Sequence, residues 1–320
     1  MLKELIARSF ILFVIGLNGY AKVPAFKNYV IFGDSLSDVG NYTTNSNNCI
    51  YFNAPITNPV ENGKTKQKNS TWANAGRLKN IMASNEGGDN YAVAGYTTAQ
   101  ILTSVKNYKI HHQANPDTLY IIWAGTNDVL HALGNHWSDV DVKQALIDGT
   151  HNITASITNL YEVGARNFLV IGLMDLSQTP MSSYPHPDPS LLLGVFPKED
   201  KIKLQQVCVD WNNHFLPHAL KLFKKNNTDS HIYTWNPTML LADMSENPSD
   251  YGYPPRLLFN TPHTKIQDRR YLTSQITYCG NTAKNADRNP SHYLFYNFIH
   301  PTPSTYQLME QDMMKTAAEL

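Results

Sequence analysis

The chain has 320 residues, 42% of them apolar and 16% charged, with a formal net charge of +0. That length can bury a full core, and the composition is globular rather than fibrous or disordered. Balanced charge with no basic block gives no electrostatic case for nucleic acid as a partner.

Residues 1–21 have the form of an export signal. Lys3 and Arg8 supply the positive start, Phe10 to Leu17 the apolar core, and Gly19-Tyr20-Ala21 a small-residue cleavage site. The apolar run is short for a membrane span; a buried first helix is the alternative. The expected mature chain is soluble, begins near Lys22 and is periplasmic or secreted.

Asn28-Tyr29-Val30-Ile31 reads as the end of a buried strand, rich in β-branched and aromatic side chains. It breaks at Gly33-Asp34-Ser35, which places the Ser35 hydroxyl at the carboxyl edge of a sheet, where open α/β sheets hold ligands. A helix is expected to follow, so the Ser35 N–H sits near a helix N-terminus. An ordinary turn is the bland reading of the same three residues. Asp34 and Asp38 read as turn and helix-start residues rather than as a catalytic carboxylate pair.

Thr43 to Thr71 is polar and reads as a loop beside Ser35. Trp72, Ala75, Leu78, Ile81 and Met82 recur at helical spacing and predict a helix over 72–84. Asn90 to Ala94 predicts a second strand ending at Gly95. Thr118 to Ala124 is apolar almost throughout, as a strand covered on both faces should be, and runs into Gly125-Thr126-Asn127-Asp128. Val142 to Tyr161 marks an amphipathic helix closed by Gly164, and Phe168 to Met174 the next strand.

The Pro-rich segment Ser177 to Pro197 carries the apolar cluster Leu191 to Phe196, either buried or offered to a lipid-like substrate. Ile202 to Phe223 predicts a helix kinked or broken before Pro217. His231 to Trp235 is a further strand, 245–292 a loop-rich insertion or lid, and Ser304 to Leu320 a closing helix. Strands alternating with helices predict one parallel sheet with helices on both faces. With no repeat and no composition break, residues 22–320 read as one domain.

Cys49, Cys208 and Cys279 fit an exported protein with one disulfide and one remaining thiol, the pairing being open. No C-x-x-C spacing supports zinc, and His111-His112 lack ligand spacing, so no metal is expected. There is no G-x-G-x-x-G or P-loop, and no cofactor is expected.

Four separated pieces carry the chemistry. A serine hydroxyl is a weak nucleophile that needs an adjacent base; Ser35 and His300, within Asn297-Phe298-Ile299-His300-Pro301-Thr302, supply the pair. A tetrahedral oxyanion needs convergent donors, for which the Ser35 N–H, the Gly95 N–H and the Asn127 amide are the candidates. The second Gly of G-x-S-x-G is missing, so a standard α/β-hydrolase elbow is not supported.

Gly-Asp-Ser-Leu-Ser around Ser35, Ala-Val-Ala-Gly ending at Gly95, Gly-Thr-Asn-Asp around Asn127 and His-Pro-Thr from His300 resemble, in identity and order, the blocks of the GDSL (SGNH) hydrolase family. The run from Phe32 to Asn41, Trp123 to Leu130 and Asp175 to Pro180 are similar to its exported bacterial phospholipase A and glycerophospholipid–cholesterol acyltransferase branch. The resemblance implies a flavodoxin-like three-layer α/β/α sandwich, and an esterase acting on lipid acyl esters through a Ser35 acyl-enzyme. Water as acceptor would give lysophospholipase or phospholipase A activity, and a lipid alcohol would give acyl transfer. It implies a lipid or lysophospholipid partner and transient contact with a membrane surface, and sets no oligomeric state.

The family's usual Asp three residues before the histidine is Asn297 here. Three readings follow: a Ser–His dyad oriented by Asn297 or a backbone carbonyl, a displaced carboxylate such as Asp287, or a weakly active or inactive chain. The rivals to a lipid esterase are a small-ester or carbohydrate esterase, which the resembled family also contains, and, because of Asn297, a catalytically impaired lipid-binding protein.

Overall fold

The structure, a computed structural model, describes residues 26, 28–38, 89–134, 138–179, 198–253, 294–295 and 299–318. The export signal, the polar loop, the helix expected over 72–84, the apolar cluster at 191–196, Cys49, Cys279, Asp287, Asn297 and most of the 245–292 insertion lie outside these residues.

Five parallel strands form one sheet in the order β2-β1-β3-β4-β5. They are β1 (Asn28–Gly33), β2 (Asp89–Asn90), β3 (Thr118–Trp123), β4 (Asn167–Ile171) and β5 (His231–Trp235). This is the flavodoxin-like order, whose switch point lies between β1 and β3. Every residue from Tyr29 to Gly33 and from Thr118 to Trp123 is buried, so the central strands are covered on both faces in an α/β/α arrangement. Their β-branched and aromatic content suits that environment.

The second strand is shorter than its apolar run suggests. Asn90 Oδ1 accepts the Ala92 N–H at 2.9 Å and Asn90 Nδ2 donates to the Ser37 carbonyl at 2.9 Å, so the side chain bends the backbone out of regular pairing. The segment still runs beside β1, with Tyr91 N–H bonded to the Ile31 carbonyl and Val93 N–H to that of Gly33.

The helices are α1 (Thr98–His111), α2 (Thr126–Gly134), α3 (Asp139–Glu162), α4 (Lys198–Asp210), α5 (Leu216–Asn226), α6 (Thr238–Glu246) and α7 (Pro303–Ala318). Helix α3 packs against α1, α2 and α5, and α7 packs against β5. Ser138 caps α3 through the Asp141 N–H. Its far end is a Schellman turn: Gly164 has φ +112°, Ala165 N–H bonds to the Leu160 carbonyl and Gly164 N–H to that of Tyr161.

The helix expected from Ile202 begins at Lys198 and is interrupted by a π turn, Trp211–Phe215, just before Pro217. Proline has no N–H to donate, and the wider turn accommodates it. The same turn places Trp211, fully buried, against Gly125 and Gly149. A Cβ at Gly125 would stand 2.6 Å from the Trp211 ring and one at Gly149 2.8 Å, so both positions are held to glycine by that indole. Residues Ser245 and Glu246, assigned to the loop-rich insertion by their sequence, still belong to α6.

Candidate active site

The carboxyl edge of the sheet collects the chemistry. Gly33 ends β1 in register with Trp123, the last residue of β3, so the loops after both strands leave the sheet side by side. Beyond Gly33 the chain makes one hydrogen-bonded turn, Ser37 N–H and Asp38 N–H both bonding to the Asp34 carbonyl, and Ser35 sits on it. A Cβ on Gly33 would stand 2.9 Å from the Trp123 carbonyl oxygen, so the close approach of the two strand ends requires glycine there.

His300 reaches this edge from the other end of the chain. Its loop is pinned by a bridge between Phe295 and Pro301 and by the Thr302 N–H to Leu294 carbonyl bond of 2.9 Å. Thr302 then opens α7, its Oγ1 accepting the Thr305 N–H at 3.3 Å with Pro303 at the first helical position. Trp235 Nε1 donates to Asp312 Oδ2 at 3.0 Å and ties the helix to β5.

The outcome is a contact of 2.8 Å between His300 Nε2 and Ser35 Oγ. Ser35 is 9% exposed and His300 5%, so both partners of the contact are buried at the sheet edge. Burial pushes the imidazole down to about 3 from its ordinary 6.5. His300 is thus neutral, and able to accept a proton, throughout the neutral range.

Gly95 follows a residue bonded to the Ser35 turn, and Asn127 bonds the residue after Gly95. Gly95 has φ +83°, a left-handed backbone that would cost an ordinary residue about 1–2 kcal/mol. Asn127, at the start of α2, donates one amide hydrogen from Nδ2 to the Tyr96 carbonyl at 2.9 Å. The second amide hydrogen is available for a ligand. Gly125, with φ +114° against Trp211, sets the turn that delivers Asn127.

Two carboxylates brace these segments. Asp38, read from the sequence as a helix-start residue, accepts the Ala94 N–H on Oδ2 at 2.7 Å, one residue before Gly95, while the residues after it lie outside those described. Asp128 accepts the Thr98 N–H at 2.9 Å and the Thr98 hydroxyl at 2.6 Å, capping α1 from a neighbouring helix; Asn152 Nδ2 joins at Thr98 Oγ1. Burial pushes the Asp128 carboxyl up, opposed by these Thr98 bonds. Neither partner is readable from local spacing. The one sequence signal for α1 itself is the Thr97-x-x-Gln100 box followed by Ile101, Val105 and Tyr108 at helical spacing.

Asp34 is fully buried. Its Oδ1 accepts the Leu36 N–H at 2.9 Å, as expected of a turn residue, while Oδ2 has no partner among the described residues. Burial raises this carboxyl to about 7, helped by the charges of Asp128 and Asp38 and opposed by the Leu36 bond. Cys208 is a free buried thiol raised by burial to about 12, which removes it as a nucleophile at neutral pH. His112 bonds through Nδ1 to the Tyr108 carbonyl and stacks on the Tyr108 ring, a packing role.

The family described as GDSL-like Lipase/Acylhydrolase matches residues 29–312. An uncharacterized protein of the trpE-trpG intergenic region of Pseudomonas putida is 27% identical, across 91% of this chain and 48% of its own length. An acetylesterase of Thermothelomyces thermophilus is 26% identical, across 73% of this chain and 78% of its own. Among solved structures, a lipolytic G-D-S-L protein of Veillonella parvula matches 90% of this chain and 96% of its own, at 12% identity and a TM-score of 0.45. The chain spans about half the length of the Pseudomonas relative. With a match running from β1 into α7, the chain belongs to the GDSL-like lipase/acylhydrolase family, a family of serine ester hydrolases.

Proposed function

We propose that this chain is an exported serine esterase that cleaves acyl esters of lipids through an acyl-enzyme on Ser35. The contact of 2.8 Å between Ser35 Oγ and His300 Nε2 carries the reading. Ser35 Oγ attacks the ester carbonyl carbon as His300 Nε2 takes the hydroxyl proton. The oxyanion forms within reach of the Ser35 and Gly95 N–H groups and the Asn127 amide. Collapse releases the alcohol, which takes the proton from His300, and leaves an acyl-serine. Water, activated by the same imidazole, then releases the fatty acid and restores Ser35.

Asn297 stands where the family places Asp, so no carboxylate at that position offsets the imidazolium that forms in each step. Burial lowers the His300 value, the direction expected where no carboxylate at position 297 opposes it. A lipid substrate is supported by the apolar sequence Leu191 to Phe196, and export by the form of residues 1–21.

A small-ester substrate is the second reading, favoured by the similarity to an acetylesterase. The test is fatty-acid release from lysophosphatidylcholine set beside acetate release from p-nitrophenyl acetate, with Ser35→Ala as control. Lipid cleavage that disappears in Ser35→Ala supports the lipid esterase. Acetate release alone selects the small-ester enzyme. Failure of the parent chain on both, together with retained lysophospholipid binding, identifies an impaired lipid-binding protein.

A further inference from the structure

The bond from the Ala94 N–H to the Asp38 carboxylate joins two loops that the proposed reaction uses together. Asp38 lies three residues after Ser35 on the same turn, and Ala94 immediately precedes Gly95. Both Asp38 and Ala94 are buried, so this charge-assisted bond of 2.7 Å is shielded from competing water.

The other ties between these loops act further back. Tyr91 N–H bonds to the Ile31 carbonyl and Val93 N–H to the Gly33 carbonyl, extending the β1 pairing. Asn90 Nδ2 holds the Ser37 carbonyl. These fix the segment as far as Val93, and the Tyr96 N–H closes a turn on the Val93 carbonyl at 3.2 Å around Ala94 and Gly95. Gly95 is not wedged by packing where a side chain would stand, since no atom of the described residues, its chain neighbours aside, lies within 4 Å of a Cβ built there. Its direction is therefore set by that turn together with the bonds on either side. Asp38 takes the Ala94 N–H before it, and Asn127 holds the Tyr96 carbonyl after it.

We propose that Asp38 is a positioning residue, whose carboxylate locks the Ser35 turn to the Gly95 segment and so fixes the Gly95 N–H relative to the nucleophile. The proposal rests on the reading of Gly95 as an oxyanion donor. A donor fixed before reaction acts more strongly than one that must reorient, and removing a whole oxyanion donor costs about 10²–10³ in kcat. Misaiming one should cost somewhat less. The developing oxyanion is more sensitive to that aim than the ground-state carbonyl, so the loss falls on kcat and leaves KM nearly unchanged.

The experiment measures kcat and KM for p-nitrophenyl butyrate, with thermal midpoints, in the parent chain, Ser35→Ala, Asp38→Leu and Asp38→Asn. Loss of turnover in Ser35→Ala establishes the underlying reading; unchanged turnover there overturns that reading whatever Asp38 does. Given that control, Asp38→Leu should lower kcat by about 10- to 100-fold with KM within about threefold. Asp38→Asn, whose amide oxygen still accepts the Ala94 N–H, should recover kcat to within about tenfold of the parent. Parental kcat in folded Asp38→Leu, or a change confined to KM, overturns the proposal. Should Asp38→Leu not fold, Asp38→Glu decides: its carboxylate is displaced by one methylene, and it should lower kcat at unchanged KM. Parental kcat in that variant overturns the proposal.

Discussion

Ser35 Oγ and His300 Nε2 meet at 2.8 Å although they lie 265 positions apart in sequence, and burial depresses the His300 imidazole. A base depressed to about 3 is unprotonated across the neutral range, yet it takes up the proton from Ser35 weakly. The geometry and the electrostatics of the pair thus pull in opposite directions.

Replacing Asn297 by Asp should strengthen the base. A carboxylate three residues before His300 favours the imidazolium, so it should raise the His300 value and increase kcat at pH 7 by about tenfold or more. The acid limb of kcat/KM, which falls as pH drops through the value of the free enzyme's base, should lie well below 6.5 in the parent and move upward in Asn297→Asp. A parental limb at 6.5 or above that does not move would contradict this assignment. Asp34, at about 7 beside Ser35, titrates within the same range, so the comparison is best repeated in Asp34→Asn.

Stability should respond to Asp34 and His300 with opposite signs. Between 3.8 and about 7 the folded chain keeps a proton on Asp34 that the unfolded chain has lost, so this contribution is present at low pH and disappears as pH rises to 7. Between about 3 and 6.5 the unfolded chain protonates His300 and the folded chain does not, so this contribution disappears as pH falls. Asp34→Asn keeps an oxygen for the Leu36 N–H and removes the first effect. Its stability relative to the parent, measured by urea unfolding, should grow from pH 4 to pH 7. A difference that stays constant across that range would contradict the assignment.

Trp211 couples two glycines from different elements. A methyl at Gly149 would meet the indole at 2.8 Å, and the same ring already lies against Gly125, whose turn delivers Asn127. Gly149→Ala should cost about 1–3 kcal/mol by overpacking. Trp211→Phe opens space for that methyl, so the double variant should be more stable than the sum of the two single changes. Urea midpoints of the four chains check this, and strict additivity would show that the contact is not the cause.

Much of this architecture is legible in the sequence because its strands are extreme. Thr118 to Trp123 is fully buried, and its run of apolar residues carries that fact without reference to anything else. The glycines that end strands or helices were equally readable, since left-handed turns at Gly95, Gly125 and Gly164 need them. Helices α1 and α6 are not read from the sequence: Ile101, Val105 and Tyr108 give only a narrow apolar stripe among polar neighbours, and α6 is short. The roles of Asp38 and Asp128 were not readable. Asp38 has its partner 56 positions away and Asp128 its partner 30 positions away, and a carboxylate near a turn looks the same whether it caps a helix or clamps another loop.

The central claim is that Ser35 is the nucleophile activated by His300. It is tested most directly by treating the chain with an alkyl fluorophosphonate and mapping the adduct by mass spectrometry. One adduct should form on Ser35, together with loss of ester hydrolysis, and labelling should vanish in Ser35→Ala and slow by at least about a hundredfold in His300→Ala. Ester hydrolysis that persists in Ser35→Ala, or an adduct on a different residue that accounts for the lost activity, would contradict the account.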